Sequence, residues 1–253
     1  FRFETEAPHI GQGYIESWLD PYSKPYQING ALVLERVNLA IFKPFFPGMG
    51  HLSGEMNLAG GLSGSITGPD FYGDFSLNSA EVAARDAPLD LKQINLSAAI
   101  RGREAGIEGS FLSGGGRARL DGKAEWKGEP SLALKLVGKD LALRQKPLIS
   151  ALVDPDLRIA VKPYEVDIRG QVAVPQALLR PQALSDKAVP LSPDVRVIDE
   201  ARKARARVAK SMKQWSVNAD IELLLKDKVQ FEGFGMNSFM TGQLRLQQQR
   251  QRG

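Results

Sequence analysis

The sequence of 253 residues contains no cysteine and only two histidines, His9 and His51. Without cysteine the chain has no disulfide, no thiolate nucleophile and no cysteine-based metal site. Both histidines lie in stretches that lack a regular apolar pattern, so we interpret them as surface residues and predict no metal site. No nucleophile-elbow, Walker A, dinucleotide-binding or zinc-protease motif is present. The sequence therefore predicts no catalytic residue and no cofactor, and we do not expect an enzyme.

Long apolar runs and a strong charge imbalance are also missing. No apolar run reaches the roughly 18 residues that a membrane-spanning helix needs, and the net charge is only +4. So mild a charge permits contact with anionic lipid or nucleic acid but argues for neither. We expect no nucleic-acid partner, and a nucleic-acid binder that uses the basic stretch ranks third among the functional hypotheses. Positive charge is concentrated only at residues 199–214, where arginines and lysines alternate with alanines. We interpret this stretch as a solvated basic helix or linker, and contact with anionic lipid headgroups is the alternative.

What the sequence does contain is a repeated alternation of apolar and polar residues. From Tyr164 to Val174 every even position is apolar or glycine, and almost every odd position is polar. This period of two is typical of a β-strand with one apolar face. The alternation recurs at Leu52–Ile66, Ile94–Ile100, Ala118–Trp126 and Trp215–Leu225. Short strands about 8–12 residues apart predict an all-β, antiparallel fold.

The apolar faces of these strands need a cover, and helices are too few to supply it. We predict only one helical turn at Tyr14–Leu19 and a short helix or loop at Pro147–Val153, and we expect Pro175 to end its strand. The sheet can then close as a sandwich or barrel, or curl into an open trough that holds a ligand. Glycines on the apolar faces favour the trough, because glycine fills no core and permits bending. These are Gly54, Gly60, Gly64, Gly73, Gly122 and Gly170.

The predicted architecture is a single elongated all-β domain. We expect an elongated, curved antiparallel sheet, folded into an open taco-like trough with an apolar interior and few short helices. An irregular segment with the first strands occupies residues 1–50, and the central sheet occupies 51–198. The basic stretch covers 199–214, and terminal strands at 215–253 continue the sheet. The sequence starts with Phe1 and ends in a stretch rich in glutamine and arginine, so we expect a segment of a longer protein.

Four stretches of the sequence carry a family resemblance. They are the ladder Leu52–Pro69 running into Phe71–Leu77, Ala118–Gly128 with Trp126, Val153–Leu157 followed by Gly170–Pro175, and Leu184–Val195 followed by Val229–Gly235. In order and spacing, across roughly residues 50–246, they resemble the C-terminal region of the TamB family. TamB proteins belong to the AsmA-like, bridge-type lipid-transport group and are subunits of the translocation and assembly module.

The resemblance implies a location and partners. A TamB-like protein is expected in the periplasm of a Gram-negative bacterium, anchored in the inner membrane through a segment outside this chain. The full-length protein would reach both membranes and meet the outer-membrane barrel TamA. The implied role is to move phospholipid between the two membranes, and to support outer-membrane assembly and autotransporter secretion.

Two functional hypotheses follow for this segment. The first is a passive conduit whose apolar groove carries phospholipid acyl chains. The predicted groove residues are Leu58, Ile66, Phe75, Leu77, Leu96, Ile100, Leu120, Trp126, Leu134, Leu136, Ile159, Ile168, Val172 and Leu223. The alternative is a structural scaffold that templates nascent β-barrel or autotransporter strands on an exposed sheet edge by strand augmentation.

Overall fold

The computed structural model describes residues 2–7, 11–45, 49–84, 90–145, 147–181 and 216–248. Within them the chain forms one 3-10 helix, Leu39–Phe45, and fourteen strands. The strands are β1 (Arg2–Ala7), β2 (Gly11–Asp20), β3 (Gln27–Asn38), β4 (Met49–Ser65), β5 (Gly68–Ala84), β6 (Asp90–Gly102), β7 (Glu104–Ser113), β8 (Gly116–Glu125), β9 (Ser131–Lys139), β10 (Leu141–Gln145), β11 (Ile149–Lys162), β12 (Glu165–Leu179), β13 (Ser216–Gly233) and β14 (Met236–Gln248). No helix in these residues has the length and hydropathy to span a membrane.

All the strands belong to one open, curved sheet, so the predicted all-β class is confirmed. The strand order follows the chain from β1 to β9 and from β11 to β14, while β10 pairs with β11 alone. Neighbouring strands are antiparallel, and short connections join most of these pairs. The pair β9–β11 is antiparallel as well, although β10 lies between the two strands along the chain. The exception is the pair β12–β13, which is parallel. A parallel connection needs a crossover of about a dozen residues or more, and the chain between Leu179 and Ser216 is long enough to provide one.

The sheet bends along a line that crosses four consecutive strands. Each of β3, β4, β5 and β6 has one residue with positive φ at an interruption of the pairing register. These residues are Arg36, Gly54, Ser79 and Gln93. Two of the displaced amides find side-chain acceptors, since Arg36 N donates to Asn57 Oδ1 at 2.8 Å and Ser79 N donates to Asn95 Oδ1 at 3.0 Å. Such bulges bend and twist the strands that contain them.

The main hydrophobic core lies at one end of the sheet. It consists of Ala118, Leu141, Val153, Val174, Ala177 and Val229. The short strand β10 lies beside the tip of the β7–β8 hairpin, where the buried Ser113 Oγ donates to the carbonyl of Ala142 at 3.0 Å. Register shifts in β11, β12 and β13 bend the sheet around the same cluster. Most other apolar side chains of the described strands are only half-buried.

Three local predictions were wrong. Tyr14–Leu19 forms no helical turn but lies in β2, where the whole segment pairs with β3 and its first residues, up to Glu16, pair with β1 as well. Most of the segment Pro147–Val153 belongs to β11, which starts at Ile149. Pro175 does not end its strand, because it sits at the register shift between Val174 and Gln176. A residue in a bulge donates no ladder hydrogen bond, so proline is tolerated there.

Some predictions fall partly or wholly outside the described residues. These are the basic stretch 199–214, the motif Leu184–Val195 and His9. In the N-terminal segment 1–50, the described residues form β1, β2, β3, the 3-10 helix and the first residues of β4.

Candidate functional site

The pairing register aligns the apolar positions of successive strands into rows on one face of the sheet, which we call the apolar face. Directly paired residues share a face. The central row runs through ten strands as Leu34, Leu58, Phe75, Ala98, Ile107, Gly122, Leu134, Ile159, Ile168 and Ala219. Rows two residues away on either side are also apolar, for example Leu77–Leu96 and Leu120–Leu136–Leu157. The apolar residues that alternate along each strand therefore form one continuous apolar surface across the sheet.

Twelve of the predicted groove residues lie on this face inside strands. The central row contains Leu58, Phe75, Leu134, Ile159 and Ile168, and the next row contains Leu77, Leu96, Leu120 and Leu136. Ile100 lies one row to the other side, and Val172 pairs with Leu223 nearer the core. The structure thus places these residues on a common surface. Their function as a lipid groove stays a prediction.

The remaining two predicted groove residues lie outside the strands. Ile66 occupies the β4–β5 turn and is 47% exposed, and its amide donates to the carbonyl of Tyr26 at 3.0 Å. Trp126 follows β8 and extends the ladder by one step, since its amide donates to the carbonyl of Arg103 at 2.9 Å. The Trp126 side chain is half-buried. Both residues therefore lie where the apolar face ends.

The apolar face is half-exposed. Its central row is half-buried at every position, whereas neighbouring positions of opposite parity, such as Ala133 and Ala160, are exposed. The described strands form one sheet, and β10 is the element that leaves the main strand order. Side chains of the apolar rows therefore shield one another, but the chain covers few of them completely.

The glycines of the apolar face do not simply leave empty space. A Cβ placed on Gly60 would lie 2.6 Å from Phe71 Cζ, and one on Gly73 would lie 2.9 Å from Phe71 Cε1. Leu134 similarly covers Gly122, with its Cδ2 2.5 Å from the position of an added Cβ. Large neighbouring side chains therefore occupy this room. By contrast Gly54, Gly64 and Gly170 have positive φ, so their role is conformational.

The opposite, polar face carries an open cavity with a volume of about 1150 Å³. Its lining includes residues of both parities, among them Phe75, Ile107, Leu134 and Ile159 of the central row. The apolar rows two residues away, such as Leu77–Leu96 and Leu120–Leu136–Leu157, are not part of the lining, and on β12 the cavity is lined by Asp167 and Arg169 and not by Ile168. This pattern assigns the cavity to the polar face. Its floor includes the small residues Ala133 and Ala160. The sequence alternation predicts this face only as the polar side of the strands. The signal that was missed is exposed alanine at positions where charged residues are more usual.

A surface ion pair links the paired strands β13 and β14. Arg245 Nε and Nη2 each donate to a different carboxylate oxygen of Asp220, both at 2.8 Å. The hydrogen bonds from this guanidinium, together with that from Gln247, lower the pKa of Asp220 to about 2. Asp220 is therefore ionised throughout the ordinary pH range.

Comparisons with known proteins agree with the geometry. The family model of the TamB C-terminal domain matches residues 103–252. The translocation and assembly module subunit TamB of Haemophilus influenzae is 20% identical over 238 residues, which cover 91% of this chain but only 18% of that protein. No solved structure matches. Because the family model covers more than half of the sequence, this chain belongs to the TamB family and contains its C-terminal domain.

Proposed function

We propose that this chain is a periplasmic, bridge-like segment that carries phospholipid acyl chains along its apolar face, between the inner and outer membranes, and so supports outer-membrane assembly. The observation that carries the proposal is the set of continuous, half-exposed apolar rows on one face of a single sheet. The proposal depends on this face and not on the cavity, which lies on the other side.

The energetic reason for such a surface is the cost of an acyl chain in water. Each methylene removed from water contributes about 0.8 kcal/mol. An acyl chain of about 16 carbons in the periplasm therefore faces a penalty on the order of 10 kcal/mol. Contact with an apolar face offsets a large part of this penalty, while a headgroup at the rim stays hydrated.

The evenness of the surface matters for movement. The central row is built from aliphatic side chains, alanine, glycine and one aromatic residue, Phe75. None of these groups offers a hydrogen bond or a charge that would hold a lipid at one position. Acyl chains can therefore shift from row to row without crossing a deep local minimum.

The location and partners extend the proposal beyond this segment. A member of the TamB family would act in the periplasm, and the relative's name refers to a translocation and assembly module. We propose that the complete protein is anchored in the inner membrane through a segment outside this chain and meets TamA at the outer membrane. The chain spans 18% of the H. influenzae relative, so it would form one part of the route.

A charge on the apolar face tests the conduit. We expect Leu134→Arg to reduce co-purified phospholipid, measured by mass spectrometry, by more than about tenfold, because an unpaired charge is costly next to an acyl chain. The matched control is Val137→Arg in the same strand, where the side chain is 42% exposed and points to the polar face. Circular dichroism checks that both variants fold. Equal lipid content in the two folded variants would contradict the proposal.

A scaffold for nascent outer-membrane proteins is the second candidate, and the edge strand β14 favours it. Among the described strands β14 pairs only with β13, and its Phe239 is 69% exposed. An unpaired edge can accept another strand by augmentation. Photo-crosslinkers separate the two functions. A probe at Leu134 should capture lipid if the chain is a conduit, and a probe at Phe239 should capture an outer-membrane protein if it is a scaffold.

A further inference from the structure

A cluster of cations surrounds two exposed alanines on the polar face. Ala133 in β9 and Ala160 in β11 are directly paired and form part of the cavity floor. Lysines and an arginine occupy neighbouring positions of the same face in β8, β9 and β11, and all of them line the cavity. They are Lys123, Lys135, Arg158 and Lys162. We call these four residues the cation cluster.

The positive charge of the cation cluster is not neutralised by the described residues. None of the four side chains has an ion pair or a side-chain hydrogen bond within this part of the chain. Lys135 and Arg158 are paired directly across β9 and β11. Like charges in that position disfavour sheet pairing unless an anion compensates them.

Carboxylates are present nearby, but they leave the cluster positive. Asp167 is paired directly with Ala160, and its Oδ1 lies 3.8 Å from Arg169 Nη2, which balances its charge. Asp121 is paired in register with Lys135 but forms no ion pair with it. Asp121 is also paired with Glu108 of β7, so two carboxylates lie side by side next to the cluster. On β9 and β11, however, every charged residue that lines the cavity is a cation.

The backbone geometry lets the four cations converge on one point. Adjacent strands lie about 4.8 Å apart, and residues two positions apart along a strand are separated by roughly 6.8 Å. Each cation is therefore one such step from Ala133 or Ala160, a distance that a lysine or arginine side chain can span. The alanine methyl groups leave the space above the floor free for a ligand.

We propose that the cation cluster binds a phosphate-bearing anion over Ala133 and Ala160. A phosphate group presents several charged oxygens at once, which suits a guanidinium fork beside flexible ammonium groups. The cavity volume of about 1150 Å³ leaves room for a group larger than phosphate, so a phosphate ester fits, either soluble or as the headgroup of a lipid. The anion site rests on a different face from the proposed acyl path. Failure of the anion-site proposal therefore leaves the conduit proposal intact, and the reverse is also true.

The test uses the purified chain with two probes. Inorganic phosphate is titrated by calorimetry, and phosphatidylcholine vesicles with and without phosphatidylglycerol are used in a sedimentation assay. We expect the double variant Lys135→Gln/Arg158→Gln to weaken binding by about tenfold or more, because charge-assisted contacts are lost. The matched control is Arg117→Gln/Lys139→Gln, which removes an equal charge from a directly paired, exposed pair outside the cavity. We expect it to change binding by less than about twofold, as for a solvated charge.

The outcomes separate the ligand sources and the two proposals. Site-dependent binding of phosphate identifies a soluble ester as a ligand, and site-dependent binding of phosphatidylglycerol vesicles alone identifies a headgroup. Ala160→Glu should abolish binding of phosphate and of phosphatidylglycerol vesicles, because it places a carboxylate on the floor of the cavity. Leu77→Arg, on the apolar face and outside the cavity lining, should leave anion binding unchanged. Equal losses in the two double variants, or no binding of either probe, would overturn the proposal.

Discussion

Replacement of Gly54 by alanine tests whether the bend across β3 to β6 is a required feature of the fold. Gly54 has φ +126°, a conformation that residues with a side chain rarely adopt. An added Cβ would lie 2.5 Å from Ala80 Cα and 2.6 Å from Ala80 Cβ. Ala80 is completely buried, so it has no room to move away. The substitution therefore combines backbone strain with a steric overlap.

The two contributions can be estimated separately. A residue held in an unfavourable backbone region costs about 1–3 kcal/mol. Forcing an extra methyl group into a packed position costs about a further 1–3 kcal/mol. We therefore expect Gly54→Ala to lower the free energy of unfolding by about 2–6 kcal/mol. Against a total stability of about 5–15 kcal/mol for a typical domain, this loss is large.

Two other glycines supply controls for the two contributions. Gly242 has φ +144° but open space around an added Cβ, so Gly242→Ala should show only the strain of about 1–3 kcal/mol. Gly106 has no positive φ, and a Cβ added to it would have no atom within 4 Å, so Gly106→Ala should change stability by less than about 1 kcal/mol. Urea unfolding followed by circular dichroism measures all three. If Gly54→Ala costs no more than Gly106→Ala, the reasoning about the bend is refuted.

Two further predictions concern the core and the β13–β14 edge. Val229→Ala should cost roughly 2–3 kcal/mol in urea unfolding, because Val229 is fully buried, whereas Val217→Ala, at a site 39% exposed, should cost under about 1 kcal/mol; equal costs would contradict the assignment of the core. Arg245→Gln should raise the pKa of Asp220 from about 2 towards its ordinary value of 3.8, measured by NMR of the carboxyl carbon. Since the folded-state pKa is the lower one, the pair stabilises the fold above pH 3.8, and this contribution is lost as the pH falls through about 2. An unchanged pKa in the variant would show that Arg245 is not the cause.

The strands were predictable because their signal is local. The alternation from Tyr164 to Val174 marks β12, which runs from Glu165 to Leu179. Successive antiparallel strands with short turns then place equivalent positions opposite one another, so the sequence also predicts which residues share a face. Most of the predicted groove residues lie on the apolar face for this reason.

Other features depend on long-range pairing, which alternation does not encode. The parallel pairing of β12 with β13 joins segments separated by the chain between Leu179 and Ser216. The cation cluster gathers Lys123, Lys135 and Arg158 from three strands, and their meeting requires the pairing register. Residues within one such strand look like an ordinary solvated face. The sequence therefore predicts the apolar face but not the cation cluster on the polar face.

The bend itself left a signal that can be read in the sequence. In β5 the apolar residues occupy odd positions up to Leu77 and even positions from Ala80 to Val82, and in β6 they change from even at Leu96 to odd at Leu91. Because side chains alternate strictly, one extra residue would turn the rest of a strand to the wrong face. Bulges at one level in neighbouring strands prevent this, since Val82 still pairs with Leu91 beyond them. The line of bulges is therefore what keeps the apolar face continuous around the bend, and any acyl path along that face depends on it.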